Sequence, residues 1–193
     1  MKTVVVFSHP YKGSFNKAIL EKVKSKLKAS ELALIDLYEE GFDPVMNADD
    51  LKLYSQGGTS DPMVEKYQKI LDNCDHIVFI FPVWWSLMPA ILKGFLDKVL
   101  LKKWAFDVKD WRPIGKMKHI KRATTIATLG GKSLIYKTVL GNPLHWALQF
   151  ATLSFCGIRK KKVFLLSSVT TCSDSKRHKM LQKIGNYFEK LGG

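Results

Sequence analysis

Acidic residues are scarce in this chain. Against 31 Lys and Arg it carries 17 Asp and Glu, a formal net charge of +14 over 193 residues. Such an excess raises nucleic acid as a partner, but no nucleic-acid-binding motif accompanies it. The Lys are dispersed, as in Lys22, Lys24, Lys26 and Lys28 along one predicted helix, with denser groups at residues 116–122 and 159–162. These read as solvated faces, and no nucleic-acid partner is expected. Cysteine is also sparse. Cys74, Cys156 and Cys172 are far apart, odd in number and without a CxxC pair. That excludes a disulfide framework and points to a reduced, cytoplasmic protein whose thiols are packing groups. There is no Walker A or GxGxxG motif, and no cluster with metal-ligand spacing, so no metal is expected. The uncharged stretch at residues 77–92 is shorter than the roughly 20 residues a spanning helix needs. It also holds Pro82 and Pro89, so membrane insertion is not expected. A strand-like VVVF run begins at Val4, where a secretory leader would have its apolar region.

What is present is apolar material in an ordered pattern. Hydrophobic residues make up 46% of the chain, enough for one packed domain spanning residues 1–193. Residues 3–8 (TVVVFS) are a β-branched run typical of a strand buried on both faces. Phe15, Ile19, Val23 and Leu27 then recur at helical spacing. Residues 32–37 form a second strand, followed by a polar excursion with a short helix. Asp61 and Pro62 open a helix running to about residue 73, the acid as cap and the proline where a missing N–H costs nothing. Residues 76–81 are a third strand, Pro89 opens a helix through 101, and residues 123–129 are a fourth strand. A mostly buried helix is expected over 145–155, a fifth strand over 163–168, and a last helix striped by Met180, Ile184, Phe188 and Leu191. This alternation predicts an α/β fold: a doubly wound, five-stranded parallel sheet in the order 2-1-3-4-5, with helices on both faces.

In such a sheet, ligands bind beyond the carboxyl ends of the strands where the strand order reverses. Three loops meet there. The first, His9-Pro10-Tyr11-Lys12-Gly13-Ser14-Phe15-Asn16, places Ser14 at a helix start whose free N–H groups suit a phosphate, though Ser also caps many ordinary helices. The second, Phe81-Pro82-Val83-Trp84-Trp85-Ser86-Leu87-Met88-Pro89, holds two adjacent Trp that cannot both enter the core. They suit a wall for a stacked aromatic ring, or packing against a helix or second subunit. The third, Thr128-Leu129-Gly130-Gly131-Lys132-Ser133, leaves backbone N–H groups open to close approach. A phosphate end, an aromatic wall and N–H donors on one sheet edge together describe a flavin site.

These loops resemble those of the NAD(P)H:quinone oxidoreductases with the flavodoxin-like fold, the DT-diaphorase family and its bacterial relatives. The resemblance runs nearly end to end. It is carried by His9…Ser14-Phe15-Asn16, Phe81-Pro82-Val83-Trp84-Trp85, Pro89-Ala90-Ile91-Leu92-Lys93-Gly94, Trp104-Ala105-Phe106, Gly130-Gly131 with Tyr136, and Phe155-Cys156-Gly157. It implies that His9, Ser14, Phe15, Asn16 and Ala18 hold the flavin phosphate and ribityl chain. Pro82, Val83, Trp84, Trp85 and Ser86 would line the ring, and Thr128, Leu129, Gly130 and Gly131 its pyrimidine side. Tyr136 would lie near O2/N1, and Arg177 at the distal end of the cofactor, pointing to FAD with FMN as the alternative. Tyr136, Gly130 and Gly131 would be the catalytic groups, while Phe106, Asn142 and Phe155 would face the substrate. The implied activity is ping-pong hydride transfer from NAD(P)H to a quinone-like acceptor by a homodimer. Asn142 stands where diaphorases place a His, and Asn cannot take up a proton at neutral pH. Two other readings accompany this one: an electron-carrier flavodoxin, which the basic charge argues against, and an ancillary subunit docked on a potassium-efflux transporter.

Overall fold

A computed structural model describes residues 1–192 of the chain. Its centre is β1 (Thr3–Phe7), all five residues of which are buried. β2 (Leu32–Asp36) pairs with one side of β1 and β3 (His76–Pro82) with the other, both parallel. β6 (Arg122–Thr128) adds beside β3, and β7 (Lys161–Leu166) closes the sheet. The order β2-β1-β3-β6-β7 is the expected 2-1-3-4-5 once a separate two-stranded ribbon, β4 (Phe106–Lys109) and β5 (Arg112–Gly115), is set aside. Strand order therefore reverses at β1, and the loops after β1 and β3 flank a crevice.

Side-chain alternation along the strands sends successive residues to opposite faces. Val5 and Phe7 join Ile19, Leu20 and Val23 of α1 (Phe15–Lys24) with Ile184 and Phe188 of α6 (Asp174–Gly192). Val4 and Val6 join the opposite layer, built from α3 (Pro62–Asp72), α4 (Ala90–Val99) and a helix at His145–Ser154. Asp61 caps α3 as its position before Pro62 requires, accepting from the Met63 N–H. The same carboxylate meets the buried Lys98 Nζ at 2.9 Å, with Asp50 of α2 (Ala48–Tyr54) at 3.6 Å, so one ammonium ties three helices together. Gly94 of α4 lies directly against the backbone of Pro44, where any Cβ would collide. This explains the glycine in the Pro89–Gly94 motif by close approach.

Two features depart from the sequence reading. The β4–β5 ribbon turns through Asp110 and Trp111, both left-handed with φ of 50° and 62°. Such a turn normally announces itself with Asn-Gly or Asp-Gly. The helix at His145–Ser154 is π-helical, and only Leu148, Gln149 and Leu153 are buried. Trp146 and Phe150 are exposed, contrary to the expected burial. The wider winding explains this: residues five apart share a face, so 148 and 153 point inward while the aromatics between them rotate out.

His76, fully buried on β3, bonds Thr124 Oγ1 at 2.8 Å through Nε2 and stacks on Phe188. Burial, reinforced by nearby Arg122, pushes its pKa down to about 4. The unfolded imidazole titrates near 6.5, so the neutral folded form contributes fully above that pH. Its contribution is lost as pH falls from 6.5 toward 4, by about 3 kcal/mol in all. Urea unfolding of wild type and His76→Gln at pH 7 and pH 4 should therefore show a smaller acid loss in the variant by that amount. Equal losses would mean that His76 is not the proton acceptor.

Candidate functional site

The loops after β1, β3, β6 and β7 enclose a cleft of about 530 Å³ at the carboxyl edge of the sheet. One bond network holds it together. Asn16 Nδ2 donates to Thr128 Oγ1 at 2.9 Å, a buried contact spanning 112 residues of sequence. The Thr128 carbonyl accepts the Val83 N–H at 2.8 Å. A single residue at the end of β6 thus fixes the β1 loop through its side chain and the β3 loop through its backbone. The Asn16 Oδ1 is buried without a partner among the described residues.

At one end the cleft is built to receive an anion. Ser14 caps α1, its Oγ accepting from the Lys17 N–H at 3.1 Å, and the first-turn N–H groups of Phe15 and Asn16 are the donors a helix start leaves free. His9 Nδ1 accepts from the Tyr11 N–H at 3.1 Å, which places the imidazole proton on Nε2. Burial lowers the His9 pKa, so it acts here as a neutral donor at pH 7. Arg177 also lines the cleft, but its Nη1 bonds the Cys172 carbonyl at 2.9 Å and Asp174 at 3.1 Å. Its first role is to brace the loop after β7.

The aromatic wall is a strained turn. Trp84 and Leu87 exchange both backbone hydrogen bonds at 3.0 Å, and the two residues between them, Trp85 and Ser86, take φ of 47° and 67°. Left-handed backbone at a Trp is costly and persists only where its surroundings enforce it. The enforcing group is Tyr136 on α5 (Ser133–Lys137), whose hydroxyl donates to the Ser86 carbonyl at 2.8 Å and accepts from the Leu144 N–H at 3.1 Å. Burial holds this phenol above its ordinary pKa, so it remains a donor at neutral pH. On the opposite wall, a Cβ at Gly130 would meet only Thr170 Oγ1 at 3.9 Å, and one at Gly131 nothing within 4 Å. Neither has a positive φ. Packing and backbone conformation do not demand glycine there, and the space beside both stays open.

Most of the expected residues converge. His9, Ser14, Phe15, Asn16, Pro82, Val83, Trp84, Thr128, Gly130 and Arg177 line the cleft. Trp85 is fully exposed on the turn, Leu129 is buried beneath it, and Ser86 enters through its carbonyl. Ala18 faces solvent on α1. Phe106 and Phe155 pack edge to face at 4.9 Å in a separate apolar cavity of about 260 Å³. Asn142, left-handed at φ 53°, lies in a third cavity beside β7. The sequence reading missed Tyr11, Val169 and Thr170 as lining residues. Tyr11 stands within the quoted His9–Asn16 loop; Val169 and Thr170 follow the fifth strand, where the same edge argument would have found them.

Replacing Tyr136 by Phe leaves the Ser86 carbonyl and the Leu144 N–H without their partner. A stability loss of about 1–3 kcal/mol is expected, measurable by denaturant unfolding. If the hydroxyl also served as an acid or base in turnover, the variant's pH–rate profile would lose a limb. A turn-holding role leaves the profile's shape unchanged.

Comparison with known proteins agrees with the fold. A family profile described as a flavodoxin-like fold matches residues 1–190. An uncharacterized NAD(P)H oxidoreductase of Haemophilus influenzae is 27% identical over 186 residues, covering 94% of this chain and 91% of that protein. The ribosyldihydronicotinamide dehydrogenase [quinone] of Rattus norvegicus is 30% identical over 184 residues, covering 82% and 78%. Among solved structures, Smu.1420 from Streptococcus mutans superposes with a TM-score of 0.87 at 33% identity, covering 98% of this chain and all of that one. With the profile spanning almost the whole sequence and the strand order matching, the chain belongs to this flavodoxin-like family.

Proposed function

We propose that the chain is a flavin-dependent NAD(P)H oxidoreductase that passes hydride to quinone-like acceptors by a ping-pong mechanism. The observation that carries this reading is the Asn16–Thr128–Val83 link, which gathers an anion end, an aromatic wall and an open glycine floor onto one cleft. Those three parts fit a flavin: a phosphate on the Phe15 and Asn16 N–H groups and His9 Nε2–H, a ring against Trp84, and its electron-rich edge toward Gly130 and Gly131. The quinone-dehydrogenase and NAD(P)H-oxidoreductase names of the relatives support the same chemistry.

A bound flavin supplies the two-electron hydride chemistry. The chain's own groups do the rest. Phe15, Asn16 and His9 would bind and orient the phosphate end by hydrogen bonds. Trp84 would exclude water from one side of the ring slot, and the Gly130 and Gly131 N–H groups would supply donors to negative charge at its edge. Tyr136 holds the Trp85–Ser86 turn in register, which makes it a positioning residue with its hydroxyl already committed. FAD is the proposed form, with Arg177 toward its far end; FMN is the alternative, in which Arg177 would do no more than brace the loop after β7 through Cys172 and Asp174.

The active form is proposed to be a homodimer. Phe106 and Phe155 do not line the cleft of their own chain, while Trp85, Trp111 and Phe150 stand exposed on its surface. A second copy covering that surface would bury the aromatics and bring Phe106 and Phe155 over the partner's cleft as the substrate cover.

Anaerobic addition of NADPH or NADH to flavin-loaded protein should bleach the flavin bands, and menadione should restore them, with parallel-line initial-rate plots. Releasing the flavin for chromatography then distinguishes FAD from FMN. Gly130→Val should keep the wild-type unfolding midpoint, because its side chain enters open space, yet weaken flavin binding at least tenfold, about 1.4 kcal/mol. No bleaching by either nicotinamide, or unimpaired flavin binding by the variant, would overturn the assignment.

A further inference from the structure

The cavity of about 340 Å³ beside β7 has no part in the proposed hydride chemistry. Its floor is the strand itself, five consecutive residues from Lys162 to Leu166. β7 is the last strand of the sheet, and nothing pairs with its outer side among the described residues. Which backbone groups are free follows from two bonds to β6: the carbonyls of Lys160 and Leu166 accept from the Ala123 and Leu129 N–H groups. Backbone direction alternates along a strand, so the even-numbered residues face β6. Lys161, Val163 and Leu165 therefore turn both N–H and C=O outward.

An edge of this kind is a template for another strand unless the protein blocks it. Here it is framed. Gln149 of the π-helix flanks one side of the groove and Lys183 of α6 the other. Gln149 is 2% exposed, bonds Thr125 Oγ1 through Nε2 at 2.8 Å, and leaves Oε1 buried without a partner. Gln149 lines the groove, and its buried acceptor without a partner is a polar group awaiting a donor. The surrounding charges have one sign: Lys137, Lys162 and Lys183 line the groove, and no Asp or Glu does.

The geometry points to a docking site for an acidic, extended peptide segment of a partner protein, added to the sheet as a further strand on β7. Its backbone pairs with the outward groups of Val163 and Leu165, and its carboxylates meet the three Lys. A spare N–H or amide on its inner side satisfies Gln149 Oε1. A second copy of this chain fits poorly: it would bring Lys161 and Lys162 against their own counterparts on a chain that already carries +14. Like charges placed across an edge pairing repel. The groove lies outside the cleft, so this inference stands whether or not the chain reduces quinones.

The probe is a fluorescein-labelled peptide, acetyl-Asp-Val-Glu-Val-Asp-Val-Glu-amide, added to the full-length flavin-loaded protein. Binding is read by anisotropy and by amide hydrogen exchange. The expected result is saturable, salt-sensitive binding with slowed exchange at Val163 and Leu165. Methylating alternate peptide nitrogens, or replacing the acids with Lys, should weaken it at least tenfold. So should Val163→Pro, which removes one outward N–H at an edge position where proline is tolerated. Circular dichroism and quinone turnover report whether that variant is folded, and the methylated peptide makes the same test on wild-type protein. Three results would overturn the proposal. One is no binding up to about 1 mM peptide, a threshold of roughly −4 kcal/mol. Another is equal binding of the methylated peptide, or its displacement by pyrophosphate with equal affinity for Val163→Pro, which would mark a small-anion site. The third is sedimentation showing that Val163→Pro abolishes self-association, which would make the edge a contact between copies.

Discussion

The candidate site depends on one buried hydrogen bond. Parallel strands deliver their loops to the same edge, but they do not fix those loops relative to one another. Asn16 and Thr128 do so, because the bond between them is shielded from water and joins residues 112 apart in sequence. In a low-dielectric setting such a bond is stronger, and losing either partner leaves a polar group stranded. Thr128 then passes the constraint to the β3 loop through its carbonyl. The β1 loop and the Trp84–Leu87 turn are therefore set at a fixed separation before anything binds. Preorganisation of this kind lowers the ordering cost of taking up a large planar cofactor.

Around this point the two faces of the sheet solve different problems. The α1–α6 face is a plain apolar layer, with His76 held neutral against Phe188. The opposite face carries a buried ion cluster at Lys98, where Asp50 and Asp61 hold three successive helices together. A buried ammonium with two carboxylates adds little net stability over apolar packing, but it is intolerant of misalignment. It suits α2, which buries Asp50 alone of its seven residues.

Much of this was legible in the sequence, for identifiable reasons. β-branched runs announced the sheet, Asp61–Pro62 announced α3, and the three loops were recognisable because they combined rare residue types at strand ends. Long-range partnerships were not legible. Nothing local to Tyr136 indicates that its hydroxyl reaches Ser86, 50 residues away, or that Phe106 and Phe155 sit in a cavity apart from the cleft. The β4–β5 ribbon escaped because its turn uses Asp110 and Trp111 with no glycine to signal left-handed backbone. The π-helix escaped because winding is not written in composition: Leu148 and Leu153 fit an apolar helix of either pitch until the burial of each residue is seen.

The two tight turns share a peculiarity. Each puts a tryptophan at a left-handed position, Trp85 in one and Trp111 in the other, and each leaves that indole almost wholly exposed. Asn-Gly would make both turns easier to form and would remove both indoles from water. A lineage selected only for the stability of the isolated chain would therefore drift away from these residues. Their presence lowers the folding stability of the chain twice over, once through strained backbone and once through two indoles left in water.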